Sequence, residues 1–382
     1  MPFHLLLKSN LNQQKKKGIY RELSCYPNLV DLTSNDYLGL SRSREFKKSL
    51  ENSFNQISQL GSTGSRLLSG HSTYAQEVEK KIAEYHGMED ALVFNSGYTA
   101  NLGLLSSLAT AQDRIVYDIR IHASIHDGIR LSKATSFPFR HNDVAHLKQR
   151  LARPHNGNTF VCIESIYSLH GSVAPLQAIC ELCNEYSAYL IVDEAHALGI
   201  LGEQGEGLVS SLGLQNSVAA TVYTFGKALG IHGAAVAGQS VLKDYLINFC
   251  RPFIYTTAPS HHTFLLIDLA YQYNQAATSQ RKHLQDLTLY FRRVASTLGL
   301  SISEENSTTP IQSICVPGHV MVRTLASKLQ EHGFDVRPIV SPSVQKNKEL
   351  LRICLHAFNT KKEVDAFLLK LHEIRKDICV SL

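Results

Sequence analysis

The chain has 382 residues, which at the usual ~100–200 residues per domain suggests about two domains, or one large α/β body carrying an extra lobe. Its 44% hydrophobic and 19% charged residues describe a globular protein and exclude a disordered one. With 38 Lys+Arg against 33 Asp+Glu the net charge is only +5, and the one basic run, Lys15, Lys16 and Lys17, is too short for a nucleic-acid surface.

No stretch approaches the ~20 apolar residues of a membrane span, and the opening MPFHLLLK lacks the apolar length and cleavage site of a signal peptide. The expectation is a cytoplasmic protein with no nucleic-acid or membrane partner. Its eight cysteines, from Cys25 to Cys379, then read as reduced thiols. Cys180 and Cys183 form a C-x-x-C without a second Cys or His pair at zinc spacing, so they read as small apolar residues on a helix; no metal is expected.

In chain order, residues 1–40 carry too little apolar sequence for a core of their own and are expected to pack on a smaller lobe or a partner subunit. Thr73 with Gln76 fits a capping box; Val78, Ile82 and Tyr85 then share one helical face, and Gly87 stops the helix. Short, almost wholly apolar runs follow at Ala91–Phe94, Arg114–Tyr117, Thr159–Glu164, Ala188–Asp193, Thr221–Thr224 and Ala234–Ala237, as strands buried on both faces should be. Their alternation with helical patterns predicts an α/β fold, a mostly parallel sheet covered by helices.

The pattern changes after about residue 270. Leu325 and Leu329 mark a helix ended by Gly333, and Thr360 with Glu363 caps another whose Val364, Phe367, Leu368 and Leu371 face inward. Strands at Ile311–Val316 and Leu351–Leu355 complete a smaller α+β lobe. The expected division is an N-terminal segment 1–40, a large domain 41–270 and a small domain 271–382.

Three sites in the middle of the chain point to chemistry. Asp193 stands at the C-terminal edge of a buried strand, where open α/β sheets bind ligands, with His196 three residues on. Lys227 follows a strand end beside Gly226. Asn95-Ser96-Gly97-Tyr98 opens a helix after a third strand, where backbone N–H groups and the helix dipole favour a phosphate. A phosphate cradle, an acid and a lysine are what pyridoxal 5′-phosphate needs: the lysine takes its aldehyde, and the acid keeps its pyridine nitrogen protonated so that the ring accepts electrons. Gly202, Gly205 and Gly207 do not form the dinucleotide fingerprint.

The segments SNDYLGL (34–40), GSTGSRLLSG (61–70), NSGYTAN (95–101), HASIHDG (122–128), ESIYSLHG (164–171), VDEAHALG (192–199), TFGKALG (224–230) and RPFIYTTAPS (251–260) resemble the α-oxoamine synthases, fold-type I pyridoxal-phosphate enzymes, from about residue 18 to the C-terminus. The resemblance implies a homodimer with its active site at the subunit interface. It implies a decarboxylative condensation of an amino acid with an acyl thioester on CoA or an acyl-carrier protein. The branch it resembles most uses L-alanine and a pimeloyl thioester.

By the same resemblance Lys227 would hold the cofactor and act as base and acid at Cα, Asp193 would pair with the pyridinium nitrogen, and His196 would bond the phenolic oxygen. His122 would stack on the ring and position the substrate carboxylate. Gly97, Tyr98 and Thr224 would bind the phosphate, Ser168 would contact the cofactor, and Thr256 and Thr257 would reach the phosphate of the neighbouring subunit. Asn35 and Arg352 match positions that contact the amino-acid substrate; Arg21 and Ser343 match positions on the acyl-thioester side. Glu164, at a strand end near the crevice, reads equally as structural or catalytic.

Two departures lie close to these motifs and are expected near the site. Leu169-His170-Gly171-Ser172 stands where many relatives carry acidic residues, and Leu198 where Thr is usual. They leave the substrate open between this branch and sister activities, an aminoketone or α-hydroxyketone autoinducer synthase or a glycine C-acetyltransferase. A non-catalytic subunit would be free to lose Lys227, which this chain retains.

Overall fold

The computed structural model describes residues 1–54, 57, 59–303 and 307–380, with side chains described to 377. The strands are β1 (Val30–Asp31), β2 (Asp90–Phe94), β3 (Arg114–Asp118), β4 (Thr135–Phe139), β5 (Thr159–Glu164), β6 (Tyr189–Asp193), β7 (Ala220–Thr224), β8 (Ala234–Gly238), β9 (Ile311–Cys315), β10 (Phe334–Asp335), β11 (Arg337–Ile339) and β12 (Leu350–Cys354). Seven form the main sheet in the order β2-β8-β7-β6-β5-β3-β4. β3 to β7 pair in parallel, while β8 runs antiparallel to both its neighbours. All six anticipated strands are therefore in one sheet. β4 was not anticipated, because TSFPF is a half-exposed edge strand in which Pro138 is tolerated and no apolar run appears.

Helices cover both faces of this sheet. One apolar layer gathers Val78 and Ile82 of helix α3 (Thr73–His86), Ile179 and Cys183 of helix Leu176–Glu185, and Phe264 and Ile267 of helix His261–Ala276. The other gathers Leu104 and Leu105 of α4 (Gly97–Leu108) with Ile125 and Ile129 of α5 (Ala123–Ser132). Cys180 and Cys183 are buried, unbridged members of the first layer. The side chain of Cys379 lies outside the described residues.

The second body is a three-stranded antiparallel sheet, β11-β12-β9. Its core joins Leu284 and Phe291 of helix Thr278–Thr297, Leu325 and Leu329 of helix His319–Glu331, and Phe367 and Leu371 of helix Lys361–Val380. Leu32 and Tyr37 enter the same core, and β1 pairs in parallel with β10, so this part of the N-terminal segment packs on the small lobe. Helix α1 (Phe3–Lys16) buries no residue within its own chain, and α2 (Arg44–Phe54) buries Phe46. The pattern change placed at residue 270 falls inside helix His261–Ala276, because the apolar period through Phe264, Ile267 and Tyr271 continues on the large body; the break comes at Ala277.

Cap chemistry sets the helix ends. Ser72, not Thr73, caps α3 by accepting the Ala75 N–H, and Gly87 leaves it in the left-handed conformation at φ 65°. Thr360 and Glu363 form the reciprocal capping box that the sequence announces.

Glu79, fully buried on α3, takes Arg66 in a two-pronged pair at 2.8 and 3.1 Å and also the Val93 N–H at 2.9 Å, tying α3 to β2. Glu79→Ala strands a buried guanidinium and is expected to lower stability by about 3–5 kcal/mol. The check is the midpoint of denaturant unfolding; a midpoint equal to that of the unaltered protein contradicts it.

Candidate active site

The parallel strands deliver their C-terminal ends to one edge of the sheet, and a cleft of about 180 Å³ opens there. Gly97, Tyr98, His122, Asp193, His196, Thr224 and Lys227 line it, joined by Asn101, Ser124, Glu164 and Ala195. Seven residues drawn from four separate motifs thus meet in one place.

Asp193 ends β6 and is buried. Its Oδ1 accepts the Ala195 N–H at 2.9 Å and its Oδ2 accepts the Asn101 amide at 2.7 Å. Ser96 caps α4 with a full capping box through Thr99, which leaves the first amides of that helix facing the cleft. A Cβ on Gly97 would collide with the Thr224 hydroxyl, so only glycine allows this strand end and helix start to meet. The Tyr98 hydroxyl donates to Asp127.

The electrostatics follow from burial. It holds the Lys227 ammonium below its ordinary pKa, with the Asp193 and Glu164 carboxyls pulling the other way. Burial drives His196 well below the usual histidine range, with Lys227 adding to the effect. His122 is lowered by burial and by Lys227 against Asp193. Glu164 is pushed well above the carboxylate range by burial and by Asp193. It accepts the His122 main-chain N–H, and its Oε1 has no hydrogen-bond partner among the described residues.

Further side chains reach in from the small lobe. The Tyr37 hydroxyl lies 2.7 Å from His196 Nδ1 and 3.2 Å from Asn35 Oδ1. Arg352, on β12, donates to Asn35 Oδ1 at 2.9 Å and to the Ser168 carbonyl at 2.7 Å. The sequence-derived pair Asn35 and Arg352 is therefore joined to the cleft through Tyr37 and His196. Ser168 contributes its carbonyl to Arg352 and does not line the cleft.

Arg21 and Ser343 meet elsewhere, in a second cleft of about 490 Å³ between residues 19–22 and 337–343. Thr256 and Thr257 sit beside Asn95, which donates to the Thr256 hydroxyl and the Thr257 carbonyl; neither lines the cleft of its own chain. Leu198 is buried in the core under the sheet and lines neither cleft. His170 contacts Ser313 at 3.4 Å, in the seam with the small lobe. Ser172 lies 2.8 Å from His141 Nε2, and His141 Nδ1 faces Asp118, so this part of the motif pins a loop.

Asn101 and Ser124 were not singled out in the sequence. A signal was there for Asn101: it is one helical turn beyond Gly97, hence on the same face of α4. Nothing in the sequence marks Ser124 beyond its place after His122.

These residues fit pyridoxal 5′-phosphate. The glycine-floored helix start with the Thr224 hydroxyl suits a phosphate, Asp193 suits a pyridinium N–H, and the Lys227 amine suits an aldehyde. The aminotransferase class I and II family matches residues 27–371. The chain belongs to that family. It is 40% identical to an 8-amino-7-oxononanoate synthase of Emericella nidulans over 95% of this chain and 93% of that one. It is 36% identical to the enzyme of the same name from Chromohalobacter salexigens, over 96% and 95%. Among solved structures, 8-amino-7-oxononanoate synthase of Francisella tularensis superposes with TM-score 0.79 at 29% identity, covering 91% of this chain and 98% of that one. Serine palmitoyltransferase of Sphingomonas wittichii superposes with TM-score 0.90 at 26% identity, over 99% and 98%.

Gly97→Ala is expected to weaken binding of pyridoxal 5′-phosphate by roughly tenfold or more, since the new methyl meets Thr224. Titrating cofactor-free protein by absorbance measures it, and unchanged affinity contradicts the cradle.

Proposed function

We propose that this protein condenses L-alanine with a pimeloyl thioester, releasing carbon dioxide and free thiol and forming 8-amino-7-oxononanoate for biotin synthesis. The observation that carries the reading is the meeting of Lys227, Asp193, His196 and His122 in one cleft of a chain 40% identical to a curated synthase of that name along nearly its whole length. Bound pyridoxal 5′-phosphate supplies an electron sink for the charge left on the amino-acid Cα.

The protein's own groups do the rest. Lys227, its basicity lowered by burial, removes the Cα proton and later returns one there. Asp193, fixed by two donors, holds a proton at the pyridine nitrogen. His196, set by Tyr37, bonds the phenolic oxygen. Arg352, already braced against Asn35 and Ser168, offers its remaining N–H groups to the substrate carboxylate, with His122 nearby. Overall, the Cα carbon bonds to the thioester carbonyl as the C–S bond breaks and the thiol takes a proton. The Cα–carboxylate bond then breaks to release carbon dioxide, and Cα regains its proton. Arg21 and Ser343 serve the acyl side from the second cleft.

The reading includes a cytoplasmic homodimer in which Thr256 and Thr257 reach the partner's phosphate. Their place outside their own cleft, at the turn beside Asn95, supports it.

Thiol release by cofactor-loaded protein tests the substrate. L-alanine with pimeloyl-CoA or pimeloyl-carrier protein is expected to exceed glycine with acetyl-CoA and 2-aminobutyrate with medium-chain acyl-CoAs. Release mainly with another pair moves the protein to a sister activity. Lys227→Ala is expected to cut turnover by roughly 10²–10⁴-fold with the dimer intact; normal turnover in that variant sinks the mechanism.

A further inference from the structure

Asn101 is buried on α4, and its terminal nitrogen stands 2.7 Å from Asp193 Oδ2 and 3.1 Å from Ser124 Oγ. A carboxylate only accepts, so the atom facing Asp193 is the amide nitrogen, and its second hydrogen goes to Ser124. The Ser124 oxygen is thereby an acceptor, and its single proton is free to point elsewhere. His122 Nδ1 lies 2.8 Å from that hydroxyl and also accepts the Ser124 main-chain N–H at 3.2 Å. A main-chain N–H cannot reverse its role, so Nδ1 carries no proton and the neutral ring bears its hydrogen on Nε2. The donors therefore run in one direction, from Asn101 through Ser124 to His122, while the other arm of the same amide holds Asp193.

We propose that Asn101 is a positioning residue that couples two groups of the site: it fixes the Asp193 carboxyl directly and the tautomer and orientation of His122 through Ser124. The pair is then set by one amide. Ala195 holds the other Asp193 oxygen by its main-chain N–H, a bond separate from the Asn101–Ser124–His122 chain. The inference deepens the reading above and rests on it for the reaction assayed.

The test compares Asn101→Leu, Asn101→Asp, Ser124→Ala and the double variant Asn101→Leu/Ser124→Ala, each loaded with pyridoxal 5′-phosphate. Three quantities are read: exchange of the L-alanine Cα hydrogen in deuterated water without acyl thioester, its saturation by alanine, and the absorption spectrum of the bound cofactor. Asn101→Leu is expected to lower the saturated exchange rate by about ten- to hundredfold and to change the spectrum, with half-saturation within about twofold. Ser124→Ala is expected to cost about three- to tenfold and to leave the spectrum closer to that of the parent. In the double variant the loss should match that of Asn101→Leu alone within about twofold, because both act along one chain.

Losses that multiply, or single variants at the parental rate, overturn the proposal. If Asn101→Leu does not fold, Asn101→Asp, similar in size but with an acceptor in place of the donor, carries the same expectation of a lowered rate and a changed spectrum. Failure of the unaltered protein to exchange alanine at all would count against the functional reading and not against the coupling, which the cofactor spectrum of the variants still reports.

Discussion

A carboxyl group at the end of a buried strand, with little of its surface exposed, has to be satisfied largely from within the protein. Asp193 is in that position, and much of the site's construction can be read as the answer. The Ala195 N–H comes from the turn that follows β6, and the Asn101 amide comes from a different helix altogether. That second bond requires α4 to start where it does, directly after β2. This in turn requires a residue without a side chain at Gly97 and a hydroxyl cap at Ser96. The lysine opposite has its proton affinity lowered by the same burial that makes the carboxyl so dependent on its partners.

The large body does not complete the site. His196 takes its orientation from Tyr37, whose ring belongs to the small-lobe core, and Arg352 comes from β12 of that lobe. Between the bodies runs residues 165–173, a loop whose carbonyls are taken by small-lobe donors: Arg352 on Ser168, Ser313 on Leu169, and Ser307 and Thr309 on Gly171. Its far end is held to the large body through Ser172, His141 and Asp118. Arg352 and His196 are thus registered to each other through the side chains of Asn35 and Tyr37, beside a loop held on its small-lobe side largely by its main-chain carbonyls.

Much of this was legible in the sequence, and for local reasons. Strands buried on both faces announce themselves as short apolar runs, so six of the seven strands of the main sheet and the crevice at their ends could be read directly. Lys227, Asp193, His196, His122 and Gly97 stand at strand ends or helix starts, where position alone carries meaning. What could not be read lacked a local signature. β4 is a polar edge strand with a proline. The end of the large body was obscured because helix His261–Ala276 keeps its apolar period past residue 270. Asn101 and Ser124 matter through what they touch, and contacts between separate helices leave no period in the sequence. Leu198 sits beside DEAH in the chain, and the turn sends its side chain into the core.

The pairing of β1 with β10 has a consequence for the order in which the molecule is assembled. As the chain emerges, all seven strands of the main sheet are available once β8 is made, and the residues lining the first cleft are present by Lys227. Tyr37 and Asn35 are made long before them, yet the lobe that receives Tyr37 is not whole until β12 and the last helix exist. Closing so long a loop gives no return until its far end arrives. Until β12 and the last helix arrive, His196 lacks the packed Tyr37 that orients it and Arg352 has not been made, so this part of the site is complete only when both ends of the chain meet in the small lobe.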